Sequence, residues 1–117
     1  MGYDLYITRA ESWLDRKKSP IRREEWDSVV AADPELELST QDYYERQVKR
    51  RIERIYAVIW MVHPDRVPFW FLDGAVETKN PDDATIRKMV TLARKLKAKV
   101  LGEEDEEYGS DGKALPR

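Results

Sequence analysis

The residues able to do chemistry in this chain fall in three short runs and one isolated aromatic. His63-Pro64-Asp65-Arg66 carries the only histidine, which rules out a multi-histidine metal site. It lies where an apolar strand breaks, a common place for sites, although a solvated polar turn is the plainer reading. Glu103, Glu104, Asp105, Glu106 and Glu107 form an unbroken acidic run ending at Tyr108. Such a run can attract a hard cation, but it lacks the glycine and the spaced ligands of a calcium loop, so no metal is expected. It reads as a solvated edge that can face a basic partner. Arg46, Lys49, Arg50, Arg51 and Arg54 form the opposite signal, a phosphate-seeking run beside Tyr43 and Tyr44, which could stack on bases. Glu45 and Glu53 dilute it. Trp13 sits in a polar loop, either pinning that loop to the domain or serving as an aromatic anchor for a partner.

Other chemistry is missing. The five glycines are scattered and make no phosphate-binding loop. With no cysteine there is no disulfide, thiolate nucleophile or thiolate metal site. Paired carboxylates carry no signal among 23 acidic residues. No catalytic residue and no cofactor is assigned, and an enzyme is not the expectation. The candidate partner-binding residues are Glu103, Glu104, Asp105, Glu106, Glu107, Tyr108, Trp13 and His63. The candidate nucleic-acid residues of the alternative reading are Arg46, Lys49, Arg50, Arg51 and Arg54.

These residues need a scaffold, and 117 residues suffice for one domain with a modest core. The net charge of −2 points neither toward nor away from nucleic acid. The opening MGYDLYITRA has no apolar stretch of a secretory signal, and no run approaches the ~20 residues of a membrane span. A cytoplasmic location is expected.

Ile55–Asn80 is the organising stretch. Ile55–Val62 and Val67–Leu72 read as strands, separated by the Pro64 turn. Asp73-Gly74 predicts a type I′ hairpin, followed by a strand over Ala75–Lys79 with Val76 and Thr78 on one face and Ala75, Glu77 and Lys79 on the other. Asn80 is the expected cap of a helix over about 81–97, with Pro81 at its first position and an apolar stripe of Ile86, Met89, Val90, Ala93 and Leu96. Earlier in the chain, Tyr3–Thr8 alternates as a strand. A helix carries Trp26, Val29 and Val30 up to Asp33-Pro34, and Glu35–Leu38 can be a short strand. Ser39–Arg54 is ambiguous between helix and a polar loop or hairpin arm running into a strand from about Arg51; the second is favoured. Ala98–Gly102 reads as a final strand.

The expected fold is therefore α+β: a single domain over residues 1–108, a mostly antiparallel sheet of about five or six strands with two main helices on one face, and a flexible tail over 109–117. Trp60, Phe69, Phe71, Ile86, Met89, Val90 and Leu96 are the expected core. Trp70 alternates with the two phenylalanines, so its burial is left open.

At MGYDLYITRA, REEWDSVVAADPELEL and GAVETKNPDDATIRKMVTLARKLKAKVLGEEDEEY, the chain resembles a set of small bacterial proteins. They share a YDLYITR-type opening, an EEW…DPEL segment and a KNPD…KM…AKV.GE ending. The resemblance covers most of the chain except roughly residues 39–54. Small, single-domain, cysteine-free, acidic bacterial proteins of this type are similar to immunity proteins of polymorphic toxin systems. The resemblance implies a non-enzymatic cytoplasmic protein whose partner is a toxin domain, neutralised by occlusion of its active site. The alternatives are a nucleic-acid-associated regulator using Arg46–Arg54, and a small-molecule enzyme or binding module with a site near His63.

Overall fold

The computed structural model describes residues 3–116. In chain order its elements are β1 (Asp4–Thr8), a single 3-10 turn (Trp13–Asp15), α1 (Arg23–Ala32), β2 (Leu36–Val48), β3 (Arg51–Trp60), β4 (Val67–Leu72), β5 (Ala75–Lys79), α2 (Asp83–Lys95), β6 (Lys99–Leu101) and β7 (Glu107–Tyr108). The domain is α+β, with seven strands in the order β2-β3-β4-β5-β1-β6-β7, each antiparallel to its neighbours. The strand beyond the expected five or six is β7, two residues long, made of the last residue of the acidic run and Tyr108. A strand that short has no periodicity to betray it.

Alternation sorts the sheet into two faces. Leu5, Ile7, Val58, Trp60, Phe69, Val76 and Val100 join one buried core with Trp26 of α1 and Ile86, Met89, Val90 and Leu92 of α2. Six of the seven expected core residues are buried there. Phe71 is only half-buried, packed against the edge of this core with the Arg23 guanidinium of α1 over its ring, and Leu92, omitted from the expected stripe, is fully buried. Asp73 and Gly74 both have positive φ, at 55° and 83°, as the tight β4–β5 hairpin requires.

The expected cap of α2 is corrected. Asp82, not Asn80, precedes the helix, and its Oδ1 accepts from the Thr85 amide at 2.9 Å. Asn80 lies two residues earlier in the left-handed region, φ 47°, and its own N–H donates to the Tyr3 carbonyl at 2.9 Å. Both types can cap a helix; the strand-to-helix corner needed its positive-φ residue at 80, which moved the cap downstream.

Ser39–Arg54 is a hairpin arm. β2 runs for 13 residues and pairs with β3, with a bulge where Leu38 opposes Val58 and Tyr43 opposes Tyr56. β3 ends at Trp60, so Met61 and Val62 are exposed rather than part of the strand. β4 is a joint: Val67–Phe69 pair with β3, and Trp70–Leu72 pair with β5. The outer half of the β2–β3 hairpin therefore leaves the plane of the sheet and curls over the face that carries no helix. Tyr44 packs on Trp70 with ring centroids 5.1 Å apart, and Arg46 reaches Asp73 at 3.2 Å.

Residues 109–116, read from the sequence as a loose tail, fold back on the sheet. Tyr108 bridges Ala114, the Leu115 amide donates to the Glu107 carbonyl at 2.7 Å, and Lys113 reaches Asp83 at 2.6 Å. Among the described residues no helix is long and apolar enough to cross a membrane.

Candidate functional site

The acidic run forms a folded β6–β7 turn. The Gly102 amide donates to the Glu106 carbonyl at 2.9 Å, and Asp105 sits in the left-handed region, φ 61°. The Glu106 carboxylate accepts from the Tyr3 hydroxyl, from the Tyr108 hydroxyl at 3.0 Å and from the Glu104 amide at 3.1 Å. Burial opposes its ionisation, yet the Tyr3 hydroxyl and the other donors outweigh that and hold its carboxyl below the usual range. Asp105 accepts from the Trp13 amide at 3.0 Å, and Glu103 accepts from the Asp4 amide at 2.6 Å. The run is thus a tied corner rather than a free anionic strip.

Trp13 meets that corner and is pinned by it. Its indole N–H donates to the Glu103 carbonyl at 2.8 Å, and its ring stacks on Tyr6 at 4.7 Å with 2° between the planes. The structure thereby brings Trp13 together with Glu103, Asp105 and Glu106, and leaves His63 elsewhere. His63 Nδ1 accepts from the Asp65 amide at 3.0 Å, and Nε2–H donates to Asp82 at 2.8 Å. Its side chain is 9% exposed, with the ring 5.4 Å from that of Trp60. With both nitrogens engaged, the ring ties the β3–β4 turn to the start of α2. Beside it, Lys88 bridges Asp33 at 2.7 Å and Glu35 at 3.0 Å, and the Trp60 indole donates to Glu35 at 2.9 Å.

The basic run is split by strand alternation and by the β2–β3 turn. Arg46 turns inward to Asp73, and Arg54 pairs with Glu45 at 3.0 Å above the Tyr43 ring. Lys49, Arg50 and Arg51 form the exposed hairpin tip, and no carboxylate among the described residues pairs with them.

A different site emerges under the hairpin. Cross-strand pairing sets Leu101, Tyr6, Glu77 and Trp70 in one row across β6, β1, β5 and β4 on the helix-free face. Trp13 covers the Tyr6 end of the row and Tyr44 leans on the Trp70 end. Between hairpin and sheet opens a groove of about 690 Å³ lined by Tyr43, Tyr44, Pro68, Trp70, Glu77, Thr78 and Lys79. A second hollow of about 340 Å³, also lined by Tyr43, Pro68 and Trp70, continues toward Asp42 and Arg66. Glu77 is half-buried here and accepts no hydrogen bond from the described residues. Burial, with the Asp4 charge adding to it, pushes its carboxyl above the usual range.

Sequence reasoning missed this groove. Its traces were the alternation that sets Trp70 against Phe69 and Phe71, and Glu77 against Val76 and Thr78. Tyr44, the third element, lay in the ambiguous segment. Comparison of the chain with family models, curated proteins and solved structures finds no match. Fold and site define the molecule by themselves: a two-layer α+β domain whose open sheet face carries an aromatic-walled groove under a curled hairpin.

Proposed function

We propose that the chain is a cytoplasmic, non-catalytic binding protein that covers a protein partner, as immunity proteins cover toxin domains. Its covering surface is the groove together with the hairpin above it. One observation carries the reading: Tyr43, Tyr44 and Trp70 stand around an open, preformed hollow with a charged rim. Recognition surfaces place aromatic anchors in this way, because they offer large contact area with few rotors to freeze. The acidic corner, tied into the fold, contributes exposed carboxylates at the margin.

The test is capture of the native partner. Tagged parent protein and a Tyr44→Ala, Trp70→Ala variant are incubated with host extract, and the retained protein is purified and titrated against both. The expected partner binds the parent, loses at least tenfold in affinity for the variant, and loses any toxic activity when bound. Equal affinity for parent and variant would move the interface elsewhere.

A nucleic-acid-associated regulator is the second reading, supported by the unpaired tip cations Lys49, Arg50 and Arg51. It requires binding that weakens steeply with salt and is lost in an Arg50→Ala, Arg51→Ala variant.

A further inference from the structure

We infer that the groove under the hairpin receives an arginine side chain of the partner protein, its guanidinium paired with Glu77 and laid against Trp70 and Tyr44. This rests on the protein-binding reading and names the chemistry of the contact.

Glu77 is half-buried between Tyr6 and Trp70 in the cross-strand row, and no donor among the described residues bonds it. The cations that face it are held by other carboxylates: Lys79 lies 3.8 Å from Asp4, and Arg16 lies 3.7 Å from Asp73. Arg46 above them is paired with Asp73 and Glu53. Asp4 and Asp73 add negative charge beside Glu77. A carboxylate kept partly out of water without a donor is a costly arrangement, and an incoming cation relieves it. The aromatic walls select the kind of cation. A planar guanidinium stacks on aromatic faces and bonds a carboxylate through two N–H groups, whereas an ammonium is a compact, strongly hydrated charge. The fold uses this pairing internally, with the Arg54 guanidinium 4.5 Å from the centre of the Tyr43 ring. At about 690 Å³, the groove has room for an arginine side chain and the backbone that carries it.

The experiment titrates blocked arginine (N-acetyl-arginine amide) into isotope-labelled protein and follows the indole N–H resonances. Trp13 and Trp60 serve as internal references, since their indoles are bonded to Glu103 and Glu35. The Trp70 signal is expected to move saturably, with a dissociation constant on the order of a millimolar. The shift should fall at least tenfold in Glu77→Gln and be missing with the equally shaped, uncharged blocked citrulline. Equal response to citrulline, equal affinity for blocked lysine, or movement of Trp13 in place of Trp70 would each overturn the inference. The two readings fail separately. A captured partner that needs Trp70 but binds Glu77→Gln undiminished leaves protein binding standing and removes the arginine contact. Absence of any captured partner removes protein binding, while the titration still decides the chemistry of the groove.

Discussion

Asp82 joins three structures through one carboxylate: it caps α2, receives His63 from the β3–β4 turn, and stands beside the corner made by Asn80. Replacing it with alanine removes the acceptor for the Thr85 amide and the partner of His63. Asp82→Ala should lower stability by about 1 kcal/mol or somewhat more, read as a shift in denaturant midpoint. Asn80→Gly should leave the midpoint unchanged or raise it, because glycine accepts the left-handed backbone that Asn80 adopts. A cap at Asn80 predicts the reverse order. The acidic run separates in the same way. Glu106 accepts three hydrogen bonds and Glu107 faces water. Glu106→Gln should cost about 1–2 kcal/mol, since an amide cannot serve all three donors. Glu107→Gln should change stability by less than about 0.5 kcal/mol. Equal effects would mean that the corner is not held by Glu106.

At the scale of elements, the β2–β3 hairpin decides whether there is a groove at all. Its sequence, dense in charge and lacking Gly and Pro, satisfied a helix about as well as a strand. What settles it is tertiary: β4 offers an edge to Val58–Trp60 and then leaves to pair with β5, so the rest of the hairpin must find its own support. That support is Tyr44 on Trp70 and Arg46 on Asp73, contacts between residues far apart in sequence that no local pattern announces. The strands with clean alternation, the Asp73-Gly74 turn and the apolar stripe of α2 were legible because each is determined by its own neighbours. The groove was not, because it lies between elements whose approach depends on a bulge and a strand changing partners. Arg46→Ala should free the arm without melting the domain. Amide hydrogen exchange should then quicken across residues 43–56, while α2 keeps its protection. Uniform quickening in both regions would show the arm to be part of the global folding unit.

At the scale of the whole molecule, carboxylates fasten the helices to the sheet. Arg9, just past β1, grips Glu25 of α1 at 2.8 and 2.9 Å and donates to the carbonyl of Leu96 at the end of α2 at 2.7 Å. Arg9 and the Arg22 amide hold the Glu25 carboxyl down to about 2. Thr85 and His63 hold that of Asp82 to about 2 as well; burial pushes Asp33 up but Lys88 and the Glu35 amide outweigh it, and Trp60 and Lys88 lower Glu35. A carboxyl depressed in the fold stabilises it fully above its unfolded value, and that contribution drains away as pH falls toward the folded one. Stability should therefore be level from neutral pH to about 5 and decline between about pH 4.5 and 2. Glu77 has the opposite sign. Its carboxyl is raised, so its ionised form opposes folding at neutral pH and protonation relieves the opposition. Glu77→Gln should accordingly match or exceed the parent in denaturant midpoint at pH 7, and any advantage should vanish near pH 4. Equilibrium unfolding of both proteins across this range reads the two effects together. A parent whose stability rises on acidification would mean that the tied carboxylates do not hold the fold, whereas a Glu77→Gln variant less stable than the parent at pH 7 would mean that Glu77 is satisfied within the fold. The groove would then have no unmet charge to offer a partner.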